Sequence, residues 1–392
     1  MSQVWPYIPA RAVNITTLVE FDRLAAEALD TQLARARNWR VHRVDLQTRD
    51  SVLGALDLAD CLFIDCVFSS HGRALVEATG GLCMSSGAQL PFDISERDLY
   101  TPYELYSGIK EVPYAQVPDA QIYTYSQAKS PLKFATDDMA MASTLHDHHI
   151  GQAMLNAVYD GVFANTPMIG VMGGHAVQRG TQEFADAVKL GASLTRTGYS
   201  IVTGGGPGAM EAANAGAWLA DYEPQDIVAA LDILAQAPDA IRHRTLWART
   251  AVRVREQFPS KNHSLGVPTW FYGHEPPNLF ATHIAKFFTN SIREAILLEQ
   301  SNGGIIVLPG AAGTVQEIFQ DACENYYATG ARVTPIVLVG DKHWREELPV
   351  WPLLQALAVG RAMEERIALV DTVDEAVAFI ETMTPLRRRT RF

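Results

Sequence analysis

Gly204-Gly205-Gly206-Pro207-Gly208 is a glycine-rich turn between an apolar, strand-like run and a helix-like run, and Pro309-Gly310-Ala311-Ala312-Gly313-Thr314 repeats this arrangement. A glycine turn at such a junction lets bare backbone approach a ligand, and the unpaired N–H groups that open the helix attract an anion. One such turn is common in α/β proteins. Two of them predict a phosphate-bearing ligand held between two strand ends. A third glycine turn, Gly173-Gly174, follows another strand-like run.

Short apolar runs rich in β-branched residues alternate with helical segments through the second half of the chain. Strands are predicted over residues 168–172, 200–203, 305–308 and 335–339. This alternation favours an α/β fold with a Rossmann-like, doubly wound and mostly parallel sheet. Ligands bind such sheets beyond the carboxyl ends of the strands, which is where all three glycine turns are expected.

The first 150 residues are predicted to form an additional N-terminal α/β domain of unknown role. A helix is expected over residues 20–37, and strands over 41–46 and 61–68. Residues 151–392 are predicted to form the Rossmann-like nucleotide-binding domain.

The composition limits the possible classes of function. Apolar residues make up 48% of the 392 positions and charged residues 19%, so a large core is expected rather than disorder. The net charge of −12 argues against binding nucleic acid or an anionic membrane through the overall field. Four cysteines without metal-ligand spacing, no signal-peptide pattern in the first ten residues and no apolar run of membrane-spanning length predict a cytoplasmic protein.

The second turn allows two interpretations of Thr314 and Glu317. In the first, the two residues form a capping box, and each side chain satisfies a backbone N–H at the start of the helix. In the second, Gly313, Thr314 and the helix N-terminus hold a phosphate, and Glu317 acts as an acid or base beside it.

A helix is predicted over residues 278–300, ahead of the 305–308 strand. Its apolar stripe would face the sheet and consists of Phe280, Ile284, Phe287, Ile292 and Ile296. Lys286, Asn290 and Arg293 would share an adjacent polar face, since they follow at spacings of four and three. Arg293 is either a site residue or a partner in a surface ion pair.

Three segments resemble signatures of the lonely-guy (LOG) family. Residues 203–217, TGGGPGAMEAANAGA, resemble the first signature, and residues 309–317, PGAAGTVQE, resemble the second, PGGxGTxxE. Asn290-Ser291-Ile292-Arg293-Glu294 falls where the family has its active-site arginine. The resemblance covers about residues 165–385, and the order of the three motifs makes it specific.

The resemblance implies a nucleoside 5′-monophosphate phosphoribohydrolase, which splits the N-glycosidic bond to give free base and ribose 5-phosphate without a metal or organic cofactor. A larger bacterial subgroup, the pyrimidine/purine nucleotide nucleosidases, has an added N-terminal domain, and this chain is similar to it in length. Family members assemble as dimers or larger, so a homo-oligomer is expected. The family was formerly labelled lysine decarboxylase, but the sequence does not support that activity. No lysine lies in a recognisable cofactor-binding context, and Lys286 is expected to be a solvated helix residue.

The resemblance also implies roles for single residues. Glu317 would stabilise an oxocarbenium-like sugar and activate water, and Arg293 would clamp the phosphate or orient Glu317. Glu211 would hydrogen-bond the ribose hydroxyls, and a favourable interaction with the helix dipole is its alternative role. The remaining substrate-binding residues would be Gly204, Gly205, Gly206, Gly208, Asn290, Gly310, Gly313 and Thr314.

Three positions depart from the family pattern. Ala311 replaces the second glycine of PGG and would strain the loop if that position needs a positive φ. Gln316 replaces a frequent acidic residue, and Glu294 replaces a frequent lysine. Ala311 and Gln316 favour the alternative function, a non-catalytic nucleotide sensor or carrier, whereas the presence of Arg293 and Glu317 favours the hydrolase.

Three further features each have two interpretations. His146-Asp147-His148-His149 is either a metal cluster or a solvated or capping loop. Residues 222–259 are predicted to be a helical insertion, on which Arg242, Arg249 and Arg253 either bind a nucleotide effector or form salt bridges. Residues 270–278 are either an aromatic lid over the base or a proline-stiffened loop.

Overall fold

The structure is a computed structural model that describes residues 12–85, 90–94, 98–127, 137–271 and 275–386. The chain divides into two compact units. Among the described residues, the first unit comprises those up to 94 together with 137–142, and the second comprises 98–127 and the residues from 143 onward.

The first unit contains a four-stranded parallel sheet. Its strands are β1 (Val13–Ile15), β2 (Trp39–His42), β3 (Leu62–Ile64) and β4 (Leu82–Met84), in the order β1-β2-β3-β4. The helices between them are α1 (Leu18–Leu29), α2 (Asp50–Leu53) and α3 (Gly72–Ala78). A core built around Phe21, Trp39 and Phe63 holds the sheet and helices together.

The predicted elements of this unit are present but shorter than expected. Strands β2 and β3 end just before Arg43 and Asp65, whose φ angles of 52° and 50° are incompatible with an extended strand. Helix α1 ends at Leu29 rather than at residue 37, and Ala34 has a φ of 44°. Apolar spacing alone did not indicate where these elements stop.

The second unit contains a seven-stranded parallel sheet. Its strands are β5 (Met168–Met172), β6 (Ser200–Thr203), β7 (Ser264–Gly266), β8 (His283–Ile284), β9 (Gly304–Val307), β10 (Ile336–Val339) and β11 (Ile367–Val370). The helices are α4 (Pro102–Leu105), α5 (Pro118–Gln127), α6 (Asp137–Tyr159, of which residues 137–142 belong to the first unit), α7 (Gln182–Thr197), α8 (Ala209–Trp218), α9 (Pro224–Leu234), α10 (Arg244–Gln257), α11 (Asn290–Gln300), α12 (Ala312–Tyr327), α13 (Val350–Ala358) and α14 (Val373–Met383). Among the described residues, no helix has the length and apolar character needed to cross a membrane.

The strand order of this sheet is β11-β10-β9-β5-β6-β7-β8, and every paired strand is parallel. The predicted α/β class with a Rossmann-like parallel sheet is therefore confirmed. The chain builds β5 through β8 outward in one direction and then returns to add β9 on the other side of β5. This reversal is a topological switch point, where such sheets form a crevice for ligands.

The predicted helix over residues 278–300 is wrong in its first half. Strand β8 occupies His283–Ile284, and the helix begins only at Asn290. Phe280, Ile284 and Phe287 are fully buried, so these three were read correctly as core but assigned the wrong geometry. Ile292 of the same predicted stripe is 45% exposed and does not face the sheet. Lys286 is not a solvated helix residue either, because it is 1% exposed and its Nζ lies 2.7 Å from Asp119 Oδ1.

Candidate functional site

The three glycine turns meet at the switch point. The Gly174 N–H, just after β5, donates to the Pro309 carbonyl after β9 at 3.0 Å. The Gly174 carbonyl in turn accepts from the Ala209 N–H at the start of α8, at 3.1 Å. Gly208 has a φ of 76°, and a Cβ there would lie 2.5 Å from the Gly174 carbonyl oxygen. The turns after β5, β6 and β9 therefore form one continuous backbone surface.

A buried polar network fixes the first glycine turn. Thr203 Oγ1 accepts from the Gly205 N–H and donates to Asn214 Oδ1, over 3.0 and 2.8 Å. Asn278 donates its N–H to the Gly205 carbonyl and its Nδ2 to the Gly206 carbonyl, at 2.8 and 3.2 Å. Both asparagines are fully buried. The loop geometry is thus set by side chains from α8 and from the segment before β8, which preorganises it for a ligand.

The second glycine turn does not contain a capping box. Helix α12 begins at Ala312, its N-cap residue is Ala311, and no side chain caps it. Ala311 has a φ of −123°, so the loop is not strained by the loss of the family glycine. Gly310 lies against the Thr314 side chain, whereas a Cβ on Gly313 would meet nothing within 4 Å. The helix N-terminus is therefore open at Gly313.

Arg293 connects the two turns. Its Nε donates to the Val267 carbonyl beyond β7 at 2.7 Å, and Nη2 lies 3.5 Å from the Gly204 carbonyl oxygen. Its Nη1 lies 3.7 Å from Glu317 Oε1 on α12. The Arg293 side chain is only 12% exposed, so the alternative of a surface ion pair does not hold.

Glu317 is a largely buried carboxylate beside one buried cation. Its side chain is 13% exposed. Burial raises its pKa above the ordinary value, Arg293 lowers the pKa in opposition, and the negative charge of Glu294 raises it further. A carboxyl group with a raised pKa can exchange protons closer to neutral pH, as an acid or base in catalysis must.

Glu294 and Gln316, which both depart from the family pattern, contact each other. Gln316 Nε2 donates to Glu294 Oε2 at 2.7 Å, and Asn290 Nδ2 donates to Glu294 Oε1 at 2.5 Å. Where the family frequently has lysine and an acid, this chain has a carboxylate and an amide that hydrogen-bond. The two departures are therefore one coupled change, and it introduces a negative charge next to Glu317.

Removing the Glu294 charge should shift the pH dependence of any activity that needs ionised Glu317. In Glu294→Gln we expect the acid limb of kcat/KM to move to lower pH, because a like charge no longer raises the pKa of Glu317. A pH–rate series with wild type measures this shift. Glu299→Gln removes an exposed charge from the same helix and should leave the limb in place; an equal shift in both variants would contradict the assignment.

Replacing Gly204 should disturb Arg293 directly. A Cβ at this position would lie 2.3 Å from Arg293 Nη2 and 2.8 Å from Met210 Sδ. For Gly204→Ala we expect the kcat/KM of any activity that depends on Arg293 to fall by roughly 100-fold, since small displacements of a positioned group are costly. Gly151→Ala is the matched control, because its Cβ would meet its nearest neighbour at 3.7 Å. Similar losses in both variants would refute a specific role for the Gly204–Arg293 contact.

Glu211 is held away from the role in ribose binding that the resemblance implied. Its Oε1 accepts from Arg179 Nε at 3.0 Å, and its Oε2 accepts from Trp247 Nε1 at 3.1 Å. Both Glu211 and Arg179 are buried, and the Arg179 guanidinium lies over the Trp247 ring. These contacts occupy both carboxylate oxygens, so we do not propose Glu211 as a ribose ligand. The partners are more than 30 residues away in sequence, and no local pattern indicated them.

Asp147 is a positioning residue that the metal hypothesis misinterpreted. It lies within α6, where its two carboxylate oxygens accept from the N–H groups of Phe288 and Thr289, each at 2.8 Å. These contacts fix the start of α11, which carries Arg293. Within the described ranges, no group of three or more His, Cys, Asp or Glu side chains could hold a metal ion. The four residues lie in a helix rather than a solvated loop; His146, Asp147 and His149 are buried, His148 is exposed, and His146 Nε2 hydrogen-bonds the Tyr100 hydroxyl at 2.8 Å.

The proposed aromatic lid is not formed by Trp270. This side chain is 1% exposed, lies against the tilted ring of Phe288 with ring centroids 4.7 Å apart, and donates a hydrogen bond from Nε1 to Asp119. Residues 272–274 of the lid hypothesis lie outside the described residues. Glu275 does reach the site, because its Oε1 lies 3.8 Å from His175 Nδ1, and these half-exposed side chains flank the first glycine turn.

The arginines of the 222–259 insertion do not form one anion site. Arg242 pairs with Asp239, Arg253 donates to Gln236, and Arg249 donates to two backbone carbonyls, those of Ile109 and Val112. Each therefore has its own partner.

Two family models match this chain. Residues 250–383 match a family described as possible lysine decarboxylase, and residues 166–221 match the SLOG cluster4 family. The first match includes Arg293, Glu317 and the second glycine turn; the second includes the first glycine turn. No curated protein matches the chain.

Two solved structures match part of this chain. The molybdenum cofactor binding protein from the phototrophic bacterium Rippkaea orientalis is 16% identical, with a TM-score of 0.34, over 55% of this chain and 96% of that one. The molybdenum cofactor carrier protein of Chlamydomonas reinhardtii is 18% identical, with a TM-score of 0.35, over 56% of this chain and 98% of that one. The chain is thus similar to the possible lysine decarboxylase and SLOG cluster4 families over the two segments that carry its candidate site.

Proposed function

We propose that the second unit hydrolyses the N-glycosidic bond of nucleoside 5′-monophosphates. The observation that carries this proposal is Arg293, which contacts Glu317 and the carbonyl of Gly204 at a topological switch point. A cation, a carboxylate of raised pKa and two glycine turns in one crevice suit a substrate that has both a phosphate and a bond to hydrolyse.

The N-terminus of α12 is the better candidate for the phosphate. It has no capping side chain, and Gly313 faces open space. At α8, by contrast, the Ala209 N–H already donates to Gly174. The unpaired N–H groups of the first turn of α12 would therefore bind the phosphate oxygens, with Gly313 and Thr314 beside them.

Glu317 would carry the chemistry at the sugar. As the C1′–N bond breaks, its electron pair leaves with the base, and the sugar becomes oxocarbenium-like. Ionised Glu317 would stabilise that positive charge and accept a proton from the attacking water. The water oxygen forms the new C1′–O bond of ribose 5-phosphate, the departing base takes up a proton from solvent, and Glu317 returns its proton to solvent. Arg293 would keep Glu317 oriented throughout.

The alternative function is a sensor or carrier that binds the nucleotide without cleaving it. Ala311 and Gln316 are the two features that support it, and each is also compatible with the hydrolase. Ala311 sits in an unstrained conformation, and Gln316 bonds Glu294 rather than leaving a gap in the site. Arg293 and Glu317 remain in contact, which favours the hydrolase.

Separate incubations with AMP, GMP, CMP, UMP and IMP, analysed by chromatography for free base, test the proposal. Adenosine is the matched control, because it has the same glycosidic bond and lacks the phosphate. We expect base release from at least one monophosphate and at least 100-fold less from its nucleoside. Binding of a monophosphate without release would favour the carrier, and equal turnover of AMP and adenosine would refute the phosphate site.

A further inference from the structure

The second unit contains a cavity whose walls do not include the glycine turns. Its volume is about 270 Å³. The cavity is formed by α4 and the segment after it, by α10, and by Leu279. Its walls are mostly apolar and aromatic, and they include Tyr103, Tyr106, Ile109, Val252 and Leu279. Arg255 of α10 also lines it.

Arg255 is a buried cation without a carboxylate partner. The residue is 7% exposed, and its Nη1 donates to the Leu279 carbonyl. Its Nε is buried and has no hydrogen-bond partner. The Tyr103 side chain hydrogen-bonds the guanidinium, and no Asp or Glu among the described residues forms an ion pair with Arg255. Two aromatic rings lie against the guanidinium: Trp218 at 4.1 Å and Tyr103 at 5.1 Å.

This environment is unfavourable for an empty site. A buried charged donor that lacks an acceptor loses its hydration without compensation, and burial lowers the pKa of Arg255 below the ordinary arginine value. The contacts with the rings offset only part of that cost. Arg255 lines the cavity and has no carboxylate counter-ion, so an anion in the cavity would supply the negative charge that the buried guanidinium lacks.

The other charges at the cavity restrict the class of anion. Lys110 is already paired with Glu256, and Glu111 adds a second negative charge at the edge. A phosphate dianion would face both acids with Arg255 as its only free partner, whereas a monoanion would not exceed that single charge. The apolar walls favour a ligand with a hydrophobic body.

We propose that this cavity binds a small organic monocarboxylate, held by Arg255, and that its occupancy alters nucleotide binding at the first glycine turn. The second part follows from two short connections. The carbonyl of Leu279 accepts a hydrogen bond from Arg255, and Leu279 directly follows Asn278 in the chain. Asn278 in turn donates hydrogen bonds to the carbonyls of Gly205 and Gly206. Trp218, which contacts the guanidinium, is the last residue of α8, the helix that the same turn opens.

Benzoate and hexanoate are suitable probes, with benzamide as the neutral isostere and inorganic phosphate as the competing anion. Calorimetry on the full chain should show millimolar or tighter binding of at least one carboxylate, at least tenfold weaker for benzamide and for phosphate. Arg255→Gln should abolish it. Ser107→Trp, at an exposed residue of the lining, should block the cavity without touching the core, and Arg253→Gln, an exposed neighbour on the same helix, should leave binding unchanged.

Several outcomes would overturn the proposal. The proposal fails if neither carboxylate binds to wild type, or if the carboxylate binds equally to wild type and to folded Ser107→Trp. It also fails if phosphate or benzamide binds more tightly than the carboxylate. The coupling is measured as the Kd of AMP with and without saturating carboxylate. We expect a change of about fivefold, and an unchanged Kd would refute the coupling. Carboxylate binding does not depend on turnover, so its failure and the failure of nucleotide hydrolysis are separate results.

Discussion

Replacing Glu317 with glutamine should reduce base release from the preferred nucleoside monophosphate by roughly 1000-fold while leaving its Kd within a few-fold of wild type. The amide keeps the size of the carboxylate but can neither accept a proton nor stabilise a positive sugar, and general acid–base catalysis is typically worth between about 100- and 10,000-fold. Steady-state base release together with calorimetric binding separates the two effects.

Glu324→Gln is the matched control for this change. It makes the same substitution at an exposed position two turns later on α12. We expect its turnover to equal that of wild type. If Glu317→Gln retained full turnover, another group would have to activate the water, and the proposal that Glu317 is the general base would be wrong.

Replacing Arg293 with lysine should cost on the order of 100-fold in kcat/KM, or more, although the charge is kept. The guanidinium contacts three separate groups: it donates hydrogen bonds to the carbonyls of Val267 and Gly204, and it pairs with the carboxylate of Glu317. An ammonium on a flexible stem cannot contact all three in this geometry. Kinetics combined with thermal unfolding distinguish a lost function from a lost fold.

The double variant makes this prediction sharper. If Arg293 acts by orienting Glu317, then Arg293→Lys combined with Glu317→Gln should be little worse than Glu317→Gln alone. Losses that simply multiply would show that Arg293 acts independently, for example on the phosphate. Arg253→Lys, whose arginine is exposed on α10 and contacts Gln236, should be silent.

The sheet of the second unit was predictable where its strands are long enough to show a pattern. Strands β5 and β6 begin and end at the predicted residues, and β9 and β10 are within one residue of prediction, because each is a run of buried apolar residues bounded by polar or glycine segments. Strands β7 and β8 were missed. They are three and two residues long, too short for any periodicity, and the apolar spacing around β8 imitates a helix.

The candidate site was predictable through its motifs but not through its contacts. The strand–glycine–helix pattern indicated the glycine turns, and the family resemblance implied the roles of Arg293 and Glu317, which the pattern had left open; the fold brings these residues together. The pairing of Glu294 with Gln316 spans 22 residues, and that of Arg179 with Glu211 spans 32. Contacts of this kind depend on how helices settle against the sheet, which no local pattern encodes.

The most direct test of the central claim is to incubate wild type and Glu317→Gln with the five monophosphates and to quantify base and ribose 5-phosphate in the same samples. The hydrolase account predicts that wild type releases both in equal amounts from at least one nucleotide and that Glu317→Gln binds this nucleotide without releasing either product. Binding by wild type with no product from any of the five nucleotides would contradict it and would support a carrier.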